Sequence, residues 1–417
     1  MTPELIERLT DEMRLEFART SPPDGFPRFP DIPVDRYTSD EFLRLEREFL
    51  WTKVWVLAGR IDDVPKAGDF FTFDGLGSPM IVIRGRDGEI RAFYNTCRHR
   101  GAPVVRDARG SSRLLRCQYH SWSYDIDDGT LVSVPDERDF VGLDKSERCL
   151  ATVRCETWDG WIFVNQNPDA PRLREWLGTI VQELGELQGD SLRTVFRQSE
   201  IVPCNWKVTA EAFLEVYHFR HIHSRNGESL LDSRGAVMSL LPNGCSRMIT
   251  PFSRSAYTAL GMSSWDDYRH VVQPGFIDIE TVNDMVRCTS SAYGIFPNLI
   301  TPIAAYGFPF ITFWPLDGSN TRIEWTHYAP IDFDPDQGLP DHWQVRLDTF
   351  AQIMQEDFWN MAPMQRSLES PALTGVPISY QERRIWHFHE QIDRMIGIDR
   401  IPEHLRVPQL LAPWVEA

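Results

Sequence analysis

Two short segments of the chain each pair a cysteine with a histidine at a spacing that suits metal coordination. Cys97 and His99 form a Cys-x-His pair, and Cys117 and His120 form a Cys-x-x-His pair. Two thiolates and two imidazoles are a complete set of metal ligands. Either pair alone would more often be a buried cysteine near an unrelated histidine. Because both pairs stand beside predicted turns, together they indicate one metal site built on two loops.

The distribution of these ligands bears on the choice between zinc and iron. Structural zinc sites usually take two cysteines from one segment and two histidines from another. Here each segment supplies one thiolate and one imidazole, so both thiolates could hold one iron ion and both imidazoles a second. This split favours a Rieske [2Fe-2S] cluster, and zinc stays open as the alternative. Neutral imidazoles raise the reduction potential of such a cluster, so it would accept electrons readily.

The sequences around both pairs, AFYNTCRHRGAPV and CQYHSWSYDIDDGTL, resemble the Rieske domain of the Rieske non-haem iron oxygenase α subunits. The similarity runs from Trp51 to Asn165. It implies that Trp122 shields the cluster by packing, and that the cluster ligands are Cys97, His99, Cys117 and His120.

A second group of candidate ligands lies in the segment AEAFLEVYHFRHIHS, which holds Glu211, Glu215, His218, His221 and His223. On a regular helix Glu215 and His218 share a face, and so do His218 and His221. His218 and His223 are about 140° apart on the same helix. Helix geometry alone therefore selects His221 as the partner of His218, although a lone histidine on a helix is most often an ordinary surface or core side chain.

The family pattern selects a different pair. In Rieske oxygenases an Asn-Trp-Lys sequence, here residues 205–207, precedes a glutamate, a further acidic residue, a Tyr-His pair and a final histidine. The pattern matches Glu215, His218 and His223, which the resemblance implies to be an acidic coupling residue and two iron ligands. It requires the helix to unwind before His223. Ala212 and Glu215 replace the commoner Asn and Asp, which leaves the type of reaction open.

The resemblance also implies how Glu215 acts. In this family the cluster of one subunit reduces the mononuclear iron of the next subunit around a head-to-tail trimer. An acidic residue contacts one histidine of each site and couples the two. Glu215 matches this residue, with His120 as its cluster-side partner and His218 as its iron-side partner. The alternative is a glutamate on the helix surface, paired with an arginine and without catalytic consequence.

An iron site of two imidazoles and one carboxylate leaves positions open on Fe(II) for O₂. Since His218 and His223 would supply the imidazoles, a carboxylate ligand is expected further along the chain. The best candidate is Asp357 in the segment QIMQEDFWNMAPMQ. Its neighbours one turn away are Ile353 and Met361, which predicts that Asp357 faces the core and that Glu356 faces water. A buried carboxylate needs a metal or a cation, and the alternative is pairing with a buried arginine or a helix end. The family resemblance also favours Asp357.

The elements around these residues predict an α+β fold with mainly antiparallel strands. We expect an N-terminal arm over residues 1–40, a small antiparallel β domain with the cluster over 41–166, and a catalytic domain with the mononuclear iron over 167–417. The catalytic domain is expected to be a helix-grip-like antiparallel sheet wrapped by helices. The uncharged stretch from Gly294 to Leu316 contains four prolines, so we read it as buried strands and not as a membrane span.

Composition narrows the possible partners and the compartment. The net charge of −17 repels phosphate backbones and anionic lipid, so neither nucleic acid nor a membrane is expected as a partner. The N-terminal segment does not have the pattern of a signal peptide. The seven cysteines are an odd number spread thinly over the chain, which suits a reduced compartment better than a disulfide framework, so we expect the cytoplasm. Six arginines and one aspartate between Cys97 and His120 could steer an acidic redox partner or tie loops together.

The resemblance implies the α subunit of a Rieske-type oxygenase, an oxidoreductase that hydroxylates an apolar, aromatic substrate with O₂. Its electrons would come from a separate NAD(P)H-dependent reductase, with or without a ferredoxin, and its assembly would be a homotrimer or α3β3. One alternative is a Rieske monooxygenase or demethylase that acts on quaternary ammonium compounds. Others are a Rieske electron carrier and a zinc-stabilised binding protein. We expect an apolar substrate pocket that contains Phe213, Phe296, Ile303 and Phe310.

Overall fold

The computed structural model describes residues 1–225, 228–254 and 273–416. The chain divides into two compact units, one of residues 51–176 and one that joins residues 1–50 to residues 177–417. These limits lie ten residues beyond the predicted boundaries at 40 and 166. Within the described ranges no helix is long and apolar enough to cross a membrane.

The N-terminal fifty residues contain short elements of the larger unit. They are α1 (Pro3–Ala18), β1 (Ile32–Pro33), α2 (Asp35–Thr38) and α3 (Asp40–Leu45), followed by a π-helical turn (Glu46–Leu50). The Thr2 side chain accepts a hydrogen bond from the Leu5 N–H at 3.3 Å, and the Ser39 hydroxyl accepts one from the Phe42 N–H at 3.1 Å. Such caps satisfy N–H groups that lack helical partners, which explains why α1 and α3 begin where they do.

The smaller unit is an antiparallel β domain. Its strands are β2 (Val56–Arg60), β3 (Asp69–Phe73), β4 (Met80–Arg84), β5 (Ile90–Tyr94), β6 (Arg109–Ser111), β7 (Leu115–Arg116), β8 (Ser123–Tyr124), β9 (Leu131–Ser133), β10 (Thr152–Trp158) and β11 (Trp161–Asn165). Seven strands pair in the order β2-β11-β10-β5-β4-β3-β6, and β7-β8-β9 form a separate sheet. In β4 the four residues from Met80 to Ile83 are all buried, as expected for a strand covered on both faces.

The larger unit contains a second seven-stranded antiparallel sheet. Its helices and strands from residue 173 onward are α4 (Leu173–Leu177), which crosses the boundary, α5 (Ile180–Gly185), β12 (Arg193–Val202), α6 (Trp206–Glu211), α7 (Phe219–Ile222), β13 (Ser224–Arg225), β14 (Glu228–Ser229), β15 (Val237–Leu240), β16 (Ser246–Pro251), α8 (Asp284–Cys288), β17 (Thr289–Ile295), β18 (Leu299–Ile303), β19 (Phe308–Pro315), β20 (Thr321–Ala329), α9 (Asp341–Leu368), β21 (Gly375–Val376) and α10 (Arg383–Ile396). The sheet order is β12-β20-β19-β18-β17-β16-β15.

This architecture confirms the predicted fold class, with an antiparallel β domain and a larger sheet accompanied by helices. The uncharged stretch from residue 294 to 316 contains the end of β17 and the whole of β18 and β19, as expected from its prolines. The helix that the apolar neighbours of Asp357 predict is α9, and its face toward the core includes Leu347, Phe350, Met354 and Asp357.

Two local predictions were wrong. The sequence MVRCTSSAYGIF, residues 285–296, predicts a single strand, but residues 284–288 form α8 and the strand begins at Thr289. The segment that contains Glu215 and His218 was treated as one helix. Instead, α6 ends at Glu211, and residues 212–218 connect it to the single turn of α7 without helical structure.

Candidate metal centres

The first cysteine–histidine pair lies on a tight loop of the smaller unit. The Cys97 N–H donates to the Ala102 carbonyl at 2.8 Å, and the Gly101 N–H donates to the Cys97 carbonyl at 2.9 Å. Gly101 adopts a φ of 74°, a conformation that side chains disfavour, so a glycine suits this turn. The loop therefore holds Cys97 and His99 at its tip.

The second pair lies on a loop with the same hydrogen-bond pattern. The Cys117 N–H donates to the Trp122 carbonyl at 2.9 Å, and the Ser121 N–H donates to the Cys117 carbonyl at 2.9 Å. Ser121 occupies the positive-φ position, with a φ of 58°. Two segments that differ in sequence thus reach the same backbone geometry, and each presents one thiol and one imidazole.

The two loops bring like ligands together. The Cys97 and Cys117 thiols, 4% and 1% exposed as residues, contact each other in the core of the unit. The Nδ1 atoms of His99 and His120 lie 3.2 Å apart in a more accessible position. Paired thiols on one side and paired imidazoles on the other fit a two-iron cluster with a different ligand pair on each iron.

The surroundings keep these ligands in states suited to metal binding. Burial lowers the pKa of His99, and the nearby His120 and Arg100 lower it further, which favours the neutral imidazole. Burial raises the pKa of Cys117, as does Cys97, whereas backbone N–H groups beside its sulfur lower it. Ionising two adjacent buried thiols requires a compensating cation, which iron would provide. Trp122 stacks on His99 with ring centroids 4.9 Å apart, in agreement with its predicted packing role.

The arginines between these two pairs are exposed. Arg109 forms an ion pair with Asp63 at 2.9 Å, and Arg100 lies 5.6 Å from the ring centroid of Tyr119. The other four, at positions 98, 106, 113 and 116, form no ion pair with the residues that the structure describes. This part of the surface is therefore positively charged in an acidic chain, as a docking site for an acidic donor requires.

The second group of ligands converges in the larger unit. His218 precedes α7 and His223 follows it, so the two imidazoles flank one helical turn. Their Nε2 atoms lie 3.5 Å and 3.1 Å from Oδ1 of Asp357, which α9 contributes. Within the described part of the chain, this is the one set of three histidine, cysteine or acidic ligand atoms that lie within 4.8 Å of one another. The set fits a two-histidine, one-carboxylate iron site with open positions.

The other ring nitrogen of each imidazole faces a carboxylate. Nδ1 of His218 contacts Oε1 of Glu215, and Nδ1 of His223 lies 2.8 Å from Oε2 of Glu356. Carboxylates at this position fix the tautomer and orientation of histidines that bind metals. Glu356, predicted to face water, is 29% exposed but also reaches His223, so both members of the Glu356–Asp357 pair contact this ring. A glutamate next to a candidate ligand was the only sequence signal of this contact.

The electrostatics of this group favour a cation between the rings. Burial lowers the pKa of His218 and of His223, but the neighbouring carboxylates outweigh burial and raise both values overall. Side chains of His223 and Asp357 are only 4% and 6% exposed, so their charges are weakly screened by water. In this environment a divalent metal ion can occupy the place that a proton would otherwise take.

The structure separates the remaining histidine and glutamate candidates from this centre. His221 is exposed, and its Nε2 accepts a hydrogen bond from Nε of Arg220 at 3.2 Å, away from Asp357. The selection of His221 by continuous-helix geometry fails because the helix is interrupted before His218. Glu211 is buried elsewhere, where it accepts a hydrogen bond from the Tyr37 hydroxyl at 3.1 Å and contacts Nε2 of His389 at 2.7 Å.

A cavity of about 450 Å³ adjoins this centre, and His218, His223 and Asp357 form part of its wall. Most of its other lining residues are apolar. Of the four predicted pocket residues, Phe213 and Ile303 line the cavity. Phe296 and Phe310 do not: Phe296 packs against Phe388, and Phe310 against Tyr328. Phe310 lies on β19 and Phe296 lies in the turn between β17 and β18. An almost uniformly apolar sequence does not specify which of its rings face the cavity.

Two family models match separate parts of the chain. One, described as the Rieske [2Fe-2S] domain, matches residues 54–154, and the other, described as the ring hydroxylating alpha subunit (catalytic domain), matches residues 169–398. These matches confirm the predicted pair of cofactors, a Rieske cluster and a mononuclear non-haem iron.

Curated relatives match over about half of the chain. The biphenyl 2,3-dioxygenase subunit alpha of Rhodococcus jostii (strain RHA1) is 38% identical over 188 residues, which are 44% of this chain and 41% of that protein. The 2-aminobenzenesulfonate 2,3-dioxygenase subunit alpha of Alcaligenes sp is 32% identical over 213 residues, which are 50% of this chain and 54% of that protein. The chain thus spans about half the length of these relatives.

Solved structures share the fold across almost the whole chain. Naphthalene 1,2-dioxygenase from Rhodococcus sp. bound to indole has a TM-score of 0.70 at 20% identity, covering 95% of this chain and 98% of that one. The quaternary ammonium Rieske monooxygenase CntA in complex with L-carnitine has a TM-score of 0.70 at 20% identity, covering 90% and 99%. With the catalytic-domain model matching more than half of its residues, this chain belongs to the family of ring-hydroxylating oxygenase α subunits that carry a Rieske [2Fe-2S] domain.

Proposed function

We propose that this chain is the terminal oxygenase of a multicomponent enzyme that hydroxylates an apolar, aromatic substrate. It would use O₂ and electrons from a separate NAD(P)H-dependent reductase, directly or through a ferredoxin. The observation that carries the proposal is the position of His218, His223 and Asp357 on the wall of a largely apolar cavity. A protein that only carries electrons has no use for such a centre beside a ligand-sized space.

The ligand assignments follow from the geometry of the two groups. Cys97 and Cys117 would hold one iron of the cluster, and His99 and His120 would hold the other. The mononuclear iron would be held by His218, His223 and Asp357. When bound, the cluster supplies single electrons and the mononuclear Fe(II) supplies sites for O₂ activation.

The chain's own residues have three tasks in this reaction. Glu215 and Glu356 hold the Nδ1 atoms of the two imidazoles, so the Nε2 atoms stay directed toward Asp357. The apolar wall excludes water and binds the substrate beside the metal ligands. Phe213 and Ile303 belong to this wall and would contact the substrate directly. Holding the reacting groups in place removes much of the entropic cost of bringing them together.

The assembly we propose is a homotrimer, or α3β3 with a second subunit, in which the cluster of one subunit serves the iron of the next. Glu215 supports this arrangement because it already contacts one imidazole of the iron site and could contact His120 of a neighbouring copy. The surface nearby also carries exposed apolar side chains. Ile201, Tyr217 and Trp359 are 62%, 53% and 81% exposed, which is unusual for a monomer surface and suits an interface.

The function is tested with purified protein, a reductase and biphenyl, naphthalene and benzene as candidate substrates. We expect a red-brown protein with about three irons per chain and formation of a hydroxylated product that incorporates oxygen from O₂. Asp357→Ala should lose the third iron and all product, whereas the visible spectrum of the cluster should persist. His221→Ala is the matched control and should retain iron and activity.

The rival functions give different results. A Rieske electron carrier would hold two irons and pass electrons without substrate oxidation, and a zinc protein would be colourless. A quaternary ammonium monooxygenase would hold three irons but would oxidise carnitine-like amines and leave the aromatic compounds unchanged. Any of these outcomes would overturn the proposal.

A further inference from the structure

Among the described residues that line the cavity beside the candidate iron site, one charged side chain has no charged counterpart. The ionic residues of this described lining are Glu215, Asp278, Arg287, Arg346 and Asp357. Asp357 faces the two imidazoles, Glu215 contacts His218, and Arg287 forms an ion pair with Asp278. Arg346 forms neither an ion pair nor a hydrogen bond with any residue in the described ranges. Its guanidinium carbon lies 5.6 Å from the ring centroid of Tyr306.

Arg346 and Asp357 lie on the same face of one helix. They are eleven residues apart on α9, which leaves their directions about 20° apart and separates their backbones by about 16 Å along the axis. Phe350, Ile353 and Met354 lie between them, and all three line the cavity. One helix face therefore provides a metal ligand, an apolar floor and a guanidinium in sequence along the same space.

Resting on the function proposed above, we propose that the otherwise apolar aromatic substrate is elongated and carries one acidic group at its far end, a carboxylate or a sulfonate, and that Arg346 binds this group. The apolar floor accommodates the rings, and the ring farthest from the acidic group lies beside the candidate iron ligands. A guanidinium offers two parallel N–H groups to an oxyanion, and such charge-assisted hydrogen bonds fix orientation as well as affinity. Arg346 is thus a specificity-determining residue that selects which ring positions are hydroxylated.

The same contact disfavours a quaternary ammonium group at the end of the cavity where Tyr306 and Arg346 lie. A cationic ligand is usually held against aromatic faces, and Tyr306 is an aromatic residue of the cavity wall. Its face is already occupied by the guanidinium of Arg346. A second cation there would meet the positive charge of Arg346, and like charges repel, which costs binding energy.

The experiment compares three probes of nearly equal shape with the holoenzyme: biphenyl-4-carboxylate, biphenyl-4-sulfonate and the uncharged 4-nitrobiphenyl. Equilibrium binding is measured without O₂, and product formation is measured with the reductase. In Arg346→Gln we expect the affinity and kcat/KM for the two anions to fall roughly 10- to 100-fold, with less than about a threefold change for the nitro compound. Arg346→Lys should restore part of the loss. Arg366→Gln, an exposed arginine of the same helix, is the matched control and should behave like the wild type.

The outcomes separate this inference from the general function. Equal losses for all three probes, or no loss for the anions, would overturn the assignment of Arg346 while leaving aromatic hydroxylation intact. Failure to form product from any aromatic probe would instead refute the proposed function. A loss confined to the carboxylate or to the sulfonate supports the assignment and identifies which oxyanion the site selects. A change in the hydroxylated position in Arg346→Gln also supports it, since a purely structural role would not redirect the reaction.

Discussion

Removing the Glu356 side chain should weaken metal binding without unfolding the protein. Oε2 of Glu356 lies 2.8 Å from Nδ1 of His223, and its other oxygen accepts a hydrogen bond from Nε2 of Gln352 at 3.1 Å. Glu356→Ala leaves every candidate metal ligand in place but frees the His223 ring to change its tautomer and to rotate. Only the orientation and basicity of the imidazole are lost.

The expected loss of metal affinity in Glu356→Ala is larger than the expected loss of folding stability, so the two effects of this side chain can be measured separately. Loss of a carboxylate behind a metal-binding histidine typically weakens metal affinity about 10- to 100-fold, which is about 1.4 to 2.7 kcal/mol. The Glu356 side chain is 29% exposed, so water screens its ion pair and its contribution to folding stability is at most about 1 kcal/mol. We therefore expect a large loss of iron affinity with a melting temperature lowered by a few degrees at most.

The assay is retention of the third iron against a competing Fe(II) chelator, measured anaerobically, with cluster absorbance as an internal reference. Asp348→Ala is the matched control, because Asp348 is exposed on the same helix and accepts a hydrogen bond from Gln344 at 2.8 Å, just as Glu356 does from Gln352. Glu356→Gln keeps an acceptor without the charge and should fall between alanine and wild type. Wild-type iron retention in Glu356→Ala would refute the orienting role.

Three further predictions concern other parts of the chain. His99→Ala should remove about two irons per chain and the visible absorption, while the mononuclear iron and far-ultraviolet dichroism persist, because the cluster ligands belong to a separate compact unit. Glu215→Gln should keep all irons but slow the reoxidation of a pre-reduced cluster in a single turnover. Unchanged rates, or activity of a monomer, would exclude the coupling of the two sites through Glu215. Burial raises the pKa of Glu211 to about 8, so folding stability should fall as the pH rises toward 8, and Glu211→Gln should flatten that dependence in chemical denaturation. A wild-type slope in Glu211→Gln would show that other groups cause it.

The direction of the Glu211 effect follows from linkage. A carboxyl group whose pKa is higher in the folded than in the unfolded state binds its proton more tightly when folded. Its contribution to stability is complete below the unfolded pKa and disappears as the pH rises through the folded value. The surroundings fit a neutral group, because burial also lowers the pKa of His389, which Glu211 contacts.

The sequence predicts those features that depend on local pattern. Ligand spacing identifies the two Rieske loops because each pair lies within one tight turn, where the backbone determines which side chains meet. The position of Asp357 toward the core follows from apolar neighbours one turn away on a long, regular helix. The charge of the cavity wall could not be predicted in this way, since Arg287 and Arg346 come from different elements and meet the same space only through the tertiary fold.

Predictions failed where tertiary contacts override a local pattern. The segment from Phe213 to His218 has the composition of an amphipathic helix, yet it is not helical. The buried Arg384 donates from Nη1 to the Leu214 carbonyl at 3.2 Å and from Nε to the Ser246 hydroxyl at 2.9 Å. An unpaired buried carbonyl costs about 1–3 kcal/mol, so this guanidinium removes much of the cost of leaving the helix. Nothing in the local sequence indicates a partner 170 residues away.

The interruption of this helix is also what makes a metal site possible. In a continuous helix His218 and His223 would be directed about 140° apart, and one of them would leave the site. Because the chain restarts with the single turn of α7, the two histidines stand at its two ends and their Nε2 atoms lie within 3.5 Å of the same carboxylate oxygen. Glu215, just before the restart, contacts the first of these rings from behind. The loss of regular structure at residues 212–218 thus places both imidazoles and one of their orienting carboxylates, and α9 supplies the remaining ligand and the second orienting carboxylate.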